Sequence, residues 1–261
     1  MNKRLLALYN VAGYAFLLAP IVVVLVVSFS AGTSASFPPT AFSLRWFRYL
    51  AGRDEFISSA LVSVEIAAFA SIGAVVLGLP AALALVRERF PGKALVDGLL
   101  MSPLVLPGII TGIALLQYFT AIGVIRSFPR LALAHLIICV PYAIRSITAS
   151  LYRIDPGMEE ASRTLGAGSF TTFRRILLPL LRPGIVAAFI FSFVTSFDNV
   201  VVSIYLIGAD TVTLPIRILT YVEWQFDPSI AAISTIFVIV TTVVVVVTEA
   251  ISSTAARLQP R

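Results

Sequence analysis

The chain has 261 residues, of which 59% are hydrophobic and 12% charged, and its mean hydropathy is +0.98. That composition lies outside the range of soluble domains and places the protein in a membrane. The net charge of +6 and pI of about 9.8 do not imply nucleic acid, because the cations are spread along the chain instead of forming a basic patch interleaved with aromatics.

A hydrocarbon core of about 30 Å needs about 20 apolar residues of helix to cross it. Six segments meet that need, roughly residues 11–28, 58–86, 99–124, 131–151, 184–206 and 229–252. Each is continuously apolar and does not alternate with period two, so helices are favoured over an outer-membrane barrel. The expected fold class is all-α: a polytopic membrane protein of six transmembrane helices, in one domain over residues 1–261.

The first segment resembles an export signal, with Lys3 and Arg4 before an apolar run and Ser34, Ala35 and Ser36 after it. The run over 5–27 is 23 residues. That exceeds the roughly 7–15 of a cleaved signal, and an uncleaved first helix is expected. With the N-terminus inside, 12 of the 19 cations, from Lys3 and Arg4 to Arg257 and Arg261, fall on the inner side; 6 fall outside, and Arg145 lies in the fourth span. This asymmetry predicts cytoplasmic termini in a bacterial inner membrane.

After the first span, LRWFRYL sets Trp46, Phe47 and Tyr49 beside Arg45 and Arg48. The mixture suits anchoring at headgroup level, contact with an external partner being the alternative. The second span contains Glu65, and residues 87–97 form a short inner turn. Pro103 and Pro107 in the third span and Pro141 in the fourth are expected to bend their helices. His135 and Cys139 in the fourth lack further ligands at metal spacing, so packing is expected of Cys139, packing or an interfacial role of His135, and no metal site.

The longest inner loop, residues 152–183, separates the fourth span from the fifth. Asp155-Pro156 punctuates its start, and Pro179 and Pro183 its end. Met158, Ala161 and Leu165 fall at helical spacing, as do Phe170, Phe173 and Ile176 with Leu177, and Gly166 and Gly168 part the two sets. Two short amphipathic helices with a glycine bend are predicted. Helices this short are marginal alone and need a partner surface to cover them. The fifth span carries Asp198 and Asn199, and the outer loop over 207–228 carries Asp210, Glu223, Trp224 and Asp227.

Glu160-Ala161-Ser162, three residues, Gly166, nine residues, then Ile176 and Leu178-Pro179 resemble the EAA motif of permease subunits in binding-protein-dependent ABC importers. The departure is Ser162, where that family often has a second Ala. The likeness continues in MSPLVLPGIITGIALL (101–116), similar to the proline-containing third helix of the type I importer fold, and in AFSLRWFRYL before the second helix. More narrowly, SFDNVVVSIYLIGADTVTLPIRI (196–218) resembles the second permease subunit of spermidine/putrescine importers, the PotC-like branch, whose relatives carry opines, other amines and aminoethylphosphonate.

The resemblance implies a non-catalytic channel-forming subunit that moves a small, cationic solute, a polyamine or related amine, from periplasm to cytoplasm by alternating access. It implies partners: a second permease, a distinct homologue in the polyamine branch; a cytoplasmic ATPase dimer holding the ATP and Mg; and a periplasmic substrate-binding protein. It assigns ATPase coupling to Glu159, Glu160, Ala161, Ser162, Arg163, Leu165, Gly166, Phe170, Phe173, Ile176, Leu178 and Pro179. Arg163, Arg174 and Arg175 either pair with acidic groups on the ATPase or are simply solvated.

The chain has no phosphate-cradling loop of its own, since its one Gly-Lys pair, Gly92-Lys93, is followed by alanine and lacks the earlier glycine. No cofactor in this chain is expected. Ionisable groups inside a span normally face a cavity or a partner. Asp198 with Asn199, and Glu65, are therefore candidates to line the path of a cationic substrate; a buried ion pair with Arg145, or contact with a sister permease, is the alternative. A membrane-embedded enzyme or a self-contained channel remains the reading from another class, although the spans offer isolated acids, one His and one Cys where an enzyme needs convergent groups.

Overall fold

The computed structural model describes residues 3–225 and 227–257. Among them there is no strand, only isolated bridges at Ser30 with Phe42 and Gly208 with Thr211. The helices are α1 (Lys3–Ser28), α2 (Arg45–Ala51), α3 (Asp54–Arg87), α4 (Lys93–Val105), α5 (Gly108–Ala121), α6 (Ser127–Leu151), α7 (Gly157–Thr164), α8 (Ser169–Thr172), α9 (Leu178–Phe197), α10 (Leu214–Trp224) and α11 (Ser229–Arg257). A π turn, Phe173–Leu177, joins α8 to α9, and a 3-10 turn, Ser203–Tyr205, follows α9. The chain divides into two compact units, Met1–Ser58 with Arg217–Val243, and Ser59–Ile216 with Val244–Arg261.

Among the described residues, four unbroken helices are long and apolar enough to cross a membrane: Leu5–Ser28, Asp54–Arg87, Ser127–Leu151 and the continuous Ser169–Phe197. The third expected span is not one helix. It is the pair α4 and α5, bent by 108°. Pro107 causes the break: it has no N–H to give, and it forces the preceding Leu106 out of the helical region to ψ 138°. The last expected span falls on α11, whose side chains beyond Val243 lie, Val246 apart, outside those described. Of the cations counted for orientation, Arg261 lies outside the described residues, as do the side chains of Lys3, Arg4 and Arg257.

The fifth span also differs from the expected 184–206. Helix runs without a break from Ser169 and stops at Phe197, so the second short helix of the inner loop and the fifth span are one rod. Pro179 does not interrupt it, because the widened π turn just before it absorbs the clash between the proline ring and the carbonyl four residues back.

In the first unit, the segment before α3 folds on itself. Trp46 is buried, 7% exposed, and its indole N–H donates to the Gly32 carbonyl at 3.2 Å, while Arg45 stacks over the indole and donates to the Ala31 carbonyl at 2.9 Å. Headgroup anchoring was expected of this aromatic; it is instead the core of its own loop. Tyr221 packs edge-on to Phe56 and donates to Asp227 Oδ2 at 2.9 Å. Burial pushes the Tyr221 phenol well above its ordinary pKa, and the Asp227 carboxylate adds to that shift.

The second unit is organised by α6 against α9. Gly184, Ala188, Ser192 and Ser196 recur every four residues on the buried face of α9, and this stripe of small residues lets the backbones approach. A Cβ on Gly184 would stand 2.4 Å from Ser150 Cβ. Midway, Cys139 Sγ donates to the Ser192 carbonyl at 3.2 Å and Ser192 Oγ donates to the Cys139 carbonyl at 3.4 Å, so Cys139 does pack as expected.

Candidate coupling loop and substrate path

The 152–183 loop is built on one turn signal and one left-handed residue. Asp155 Oδ1 accepts the Gly157 N–H at 2.9 Å and opens α7. Gly166 closes it with φ 82°, where a side chain is strained, and nothing lies within 4 Å of where its Cβ would be. Its role is therefore conformational: the predicted glycine bend is at Gly166.

Across that bend the amphipathic pattern is reversed from that of a soluble helix pair. Ser162 and Thr172 are buried, with their hydroxyls 3.0 Å apart. Leu165 and Phe170 are 89% and 74% exposed, and Met158 and Ala161 lie in the open with them. The serine that departs from the motif has a partner, Thr172, ten residues on. The sequence showed both hydroxyls but nothing that paired them.

The charged residues of the loop divide. Glu159 turns inward, 2.9 Å from Arg87 Nε at the end of α3, with Arg163 Nη2 at 3.9 Å on its other side, and Arg87 also donates to the Ile154 carbonyl at 3.2 Å. Glu160, Arg163, Arg174 and Arg175 are exposed. Phe173, Ile176, Leu178 and Pro179 are half-buried where the loop rises into α9, Phe173 against the core. Replacing Arg87 with Gln is expected to loosen α7 without unfolding the membrane helices, read as faster proteolysis within the loop at an unchanged thermal midpoint.

At the other end of α9, Asp198 is the C-cap, with its carboxylate exposed and its N–H donated to the Val194 carbonyl at 3.0 Å. It is not inside a span, as expected, but at the end of one. The negative end of the helix dipole there reinforces the carboxylate toward a cation. Asn199 is structural: its Oδ1 accepts the Val202 N–H at 2.9 Å and its carbonyl accepts the Ser203 hydroxyl at 2.6 Å.

His135 holds this turn. Buried in α6, it meets Ser196 Oγ through Nδ1 at 2.7 Å and Ser203 Oγ through Nε2 at 2.8 Å. Since the Ser203 proton goes to Asn199, Nε2 carries the imidazole proton and donates it, and Nδ1 accepts from Ser196. The packing role expected of His135 is thus a specific one, joining the last turn of α9 to the turn that follows. α5 leans on the same turn, since Cβ atoms on Gly108 and Gly112 would run into Val201 and Tyr205 at 2.9 and 2.6 Å.

Glu65 lies eleven residues into α3, farther from its outer end than expected because the helix starts at Asp54. It is exposed among Leu61, Val64 and Phe69, also exposed, so a carboxylate interrupts an apolar face. Among the described residues neither Glu65 nor Asp198 pairs with Arg145. Arg145 is ten residues along α6 from His135, which touches Ser196, and that is about 15 Å from the Asp198 turn. The ion pair weighed from sequence is corrected on that ground.

The family profile described as "Binding-protein-dependent transport system inner membrane component" matches residues 74–257. The chain is 36% identical over 231 residues to the spermidine/putrescine transport system permease protein PotC of Haemophilus influenzae, covering 87% of this chain and 88% of that one. It is 33% identical over 233 residues to the protein of the same name from Escherichia coli, covering 89% and 88%. Among solved structures, a bacterial ABC transporter involved in the import of the acidic polysaccharide alginate superposes with a TM-score of 0.70 at 14% identity, covering 97% of this chain and 98% of that one.

Proposed function

This chain belongs to the binding-protein-dependent transport system inner membrane components, as a multi-pass, non-catalytic permease subunit of a bacterial ABC importer, and we propose that its cargo is a polyamine. The reading of the cargo rests on the PotC relatives and on the geometry at Asp198: an exposed carboxylate on a helix C-terminus is an attractive site for a cation. Glu65, a second acid on an otherwise apolar exposed face, is the other candidate to line that path. A second permease, distinct in sequence, completes that path, and a periplasmic binding protein delivers the amine. Relatives in this branch with opines or aminoethylphosphonate as cargo give the competing substrate reading.

The coupling reading rests on one observation, the apolar residues Leu165, Phe170 and Met158 held outward while the hydroxyls of Ser162 and Thr172 are held inward. Such a face fits a groove on a cytoplasmic ATPase, which carries the ATP and Mg. Glu160 and Arg163 border the face and meet charges on the groove's rim.

Uptake of labelled spermidine and putrescine by cells expressing the full transporter tests the cargo. Asp198→Asn is expected to lower the rate at least tenfold with normal membrane insertion, since it removes one charge without changing shape. Unchanged uptake of both amines sinks the path role of Asp198.

A further inference from the structure

Neither the coupling loop nor the Asp198 turn uses a cavity of about 510 Å3 at the loop-side ends of α3, α4 and α6. α4 lines it with Lys93, Asp97 and Met101, and α6 with Arg145, Thr148 and, at its cap, Tyr152, so each helix presents one stripe at helical spacing. Lys93 and Tyr152 mark the rim. Met101 and Arg145 lie eight and seven residues deeper, about 12 and 10 Å along their helices. The cavity thus extends about 10–12 Å along both helices from its rim.

Two of its polar groups are unspent. Arg145 forms no ion pair and no hydrogen bond among the described residues, and Thr148 Oγ1 is buried without a hydrogen-bond partner. Lys93 is held at the rim by the Glu88 carbonyl, 3.1 Å from its Nζ. Two cations against one carboxylate leave a net charge of +1 in the cavity. That sign repels a polyamine and excludes a second station for the cargo. It matches an anion of one charge with several acceptor oxygens, and a guanidinium fork suits the oxygens of a phosphate in particular. At the flank of the cavity, Val96 of α4 and the ring of Tyr152 are exposed, apolar surface on which acyl chains can lie.

We infer that this cavity binds a phosphate-bearing anion through Arg145 and Lys93, and that the headgroup of an anionic phospholipid in the adjoining leaflet is the source its apolar flank fits; a soluble phosphate is the other source of the same chemistry. Basic pockets between membrane helices on the cytoplasmic side take such headgroups.

The test is native mass spectrometry and thermal shift of the complete transporter in non-ionic detergent, with added phosphatidylglycerol or inorganic phosphate. Retention of phosphatidylglycerol is expected to fall about fivefold in R145Q and in K93Q, and to rise about fivefold in D97N, where a repelling charge is removed. A rise cannot come from a damaged fold. If inorganic phosphate, and not the lipid, shows that pattern across the three variants, the anion site stands and its ligand is soluble. If neither ligand distinguishes the wild type from the three variants, the inference is overturned. Neither readout depends on uptake, so the outcome is independent of the cargo.

Discussion

Leu165→Glu combined with Phe170→Glu is expected to abolish copurification with the ATPase and to reduce amine uptake at least a hundredfold, with the permease still inserted at wild-type level. Both side chains stand almost wholly in the open, so the change removes nothing from the chain's own core. Across an interface the effect is large, because truncating one buried anchor costs about 2 kcal/mol or more, and a carboxylate placed in an apolar groove adds its desolvation. Ser162→Ala is the informative companion. It removes one of the two hydrogen bonds of the Thr172 hydroxyl, which keeps the Gly168 carbonyl at 3.3 Å, at a cost of about 0.5–1.5 kcal/mol to the loop, while leaving the docking face intact. Association is expected to weaken there only as far as the loop loosens. Retained association in the double glutamate variant, measured in detergent-solubilised membranes, rules out this face as the contact.

Gly184→Ala is expected to destabilise the packing of α6 against α9. Its Cβ would arrive 2.4 Å from Ser150 Cβ, an atom fixed to the α6 backbone that no rotamer change can move aside. The two helices must part, at about 1–3 kcal/mol or more. Adding Ser150→Gly removes the opposing atom, so the double variant is expected to recover most of the thermal midpoint lost by the single one. Two substitutions that each destabilise alone and recover together are the signature of this contact. A double variant no more stable than Gly184→Ala contradicts the close approach.

The sequence made legible whatever depends on local chemistry. The Asp155-Pro156 start of the loop and the bend at Gly166 each follow from a residue type whose backbone preference is strong. Pairings distant along the chain were not legible. His135 with Ser196 and Ser203, Arg87 with Glu159, and Ser162 with Thr172 join ordinary polar residues, and no spacing rule selects them. Helix ends failed for a different reason. An apolar run does not stop where its helix stops, and so Val200–Leu206 continued the run while Asp198 had already capped α9. Prolines were legible unevenly. Pro107 bends the third span as expected, sharply enough that one apolar run becomes two helices, whereas Pro179 fails to separate two helices that punctuation reads as distinct.

The continuous helix Ser169–Phe197 is 29 residues, about 43 Å end to end. Phe170 sits at its foot and Asp198 caps its head. Foot and head therefore belong to one stiff body, in which a displacement at one end reaches the other undiminished unless the rod itself yields. It can yield at the π turn at Phe173–Leu177, where one widened loop of backbone replaces the tighter ladder, and at Pro183, which leaves one ladder bond unmade. On the coupling and path roles proposed above, the stiffness of this rod sets how much of the motor's stroke arrives at the cation.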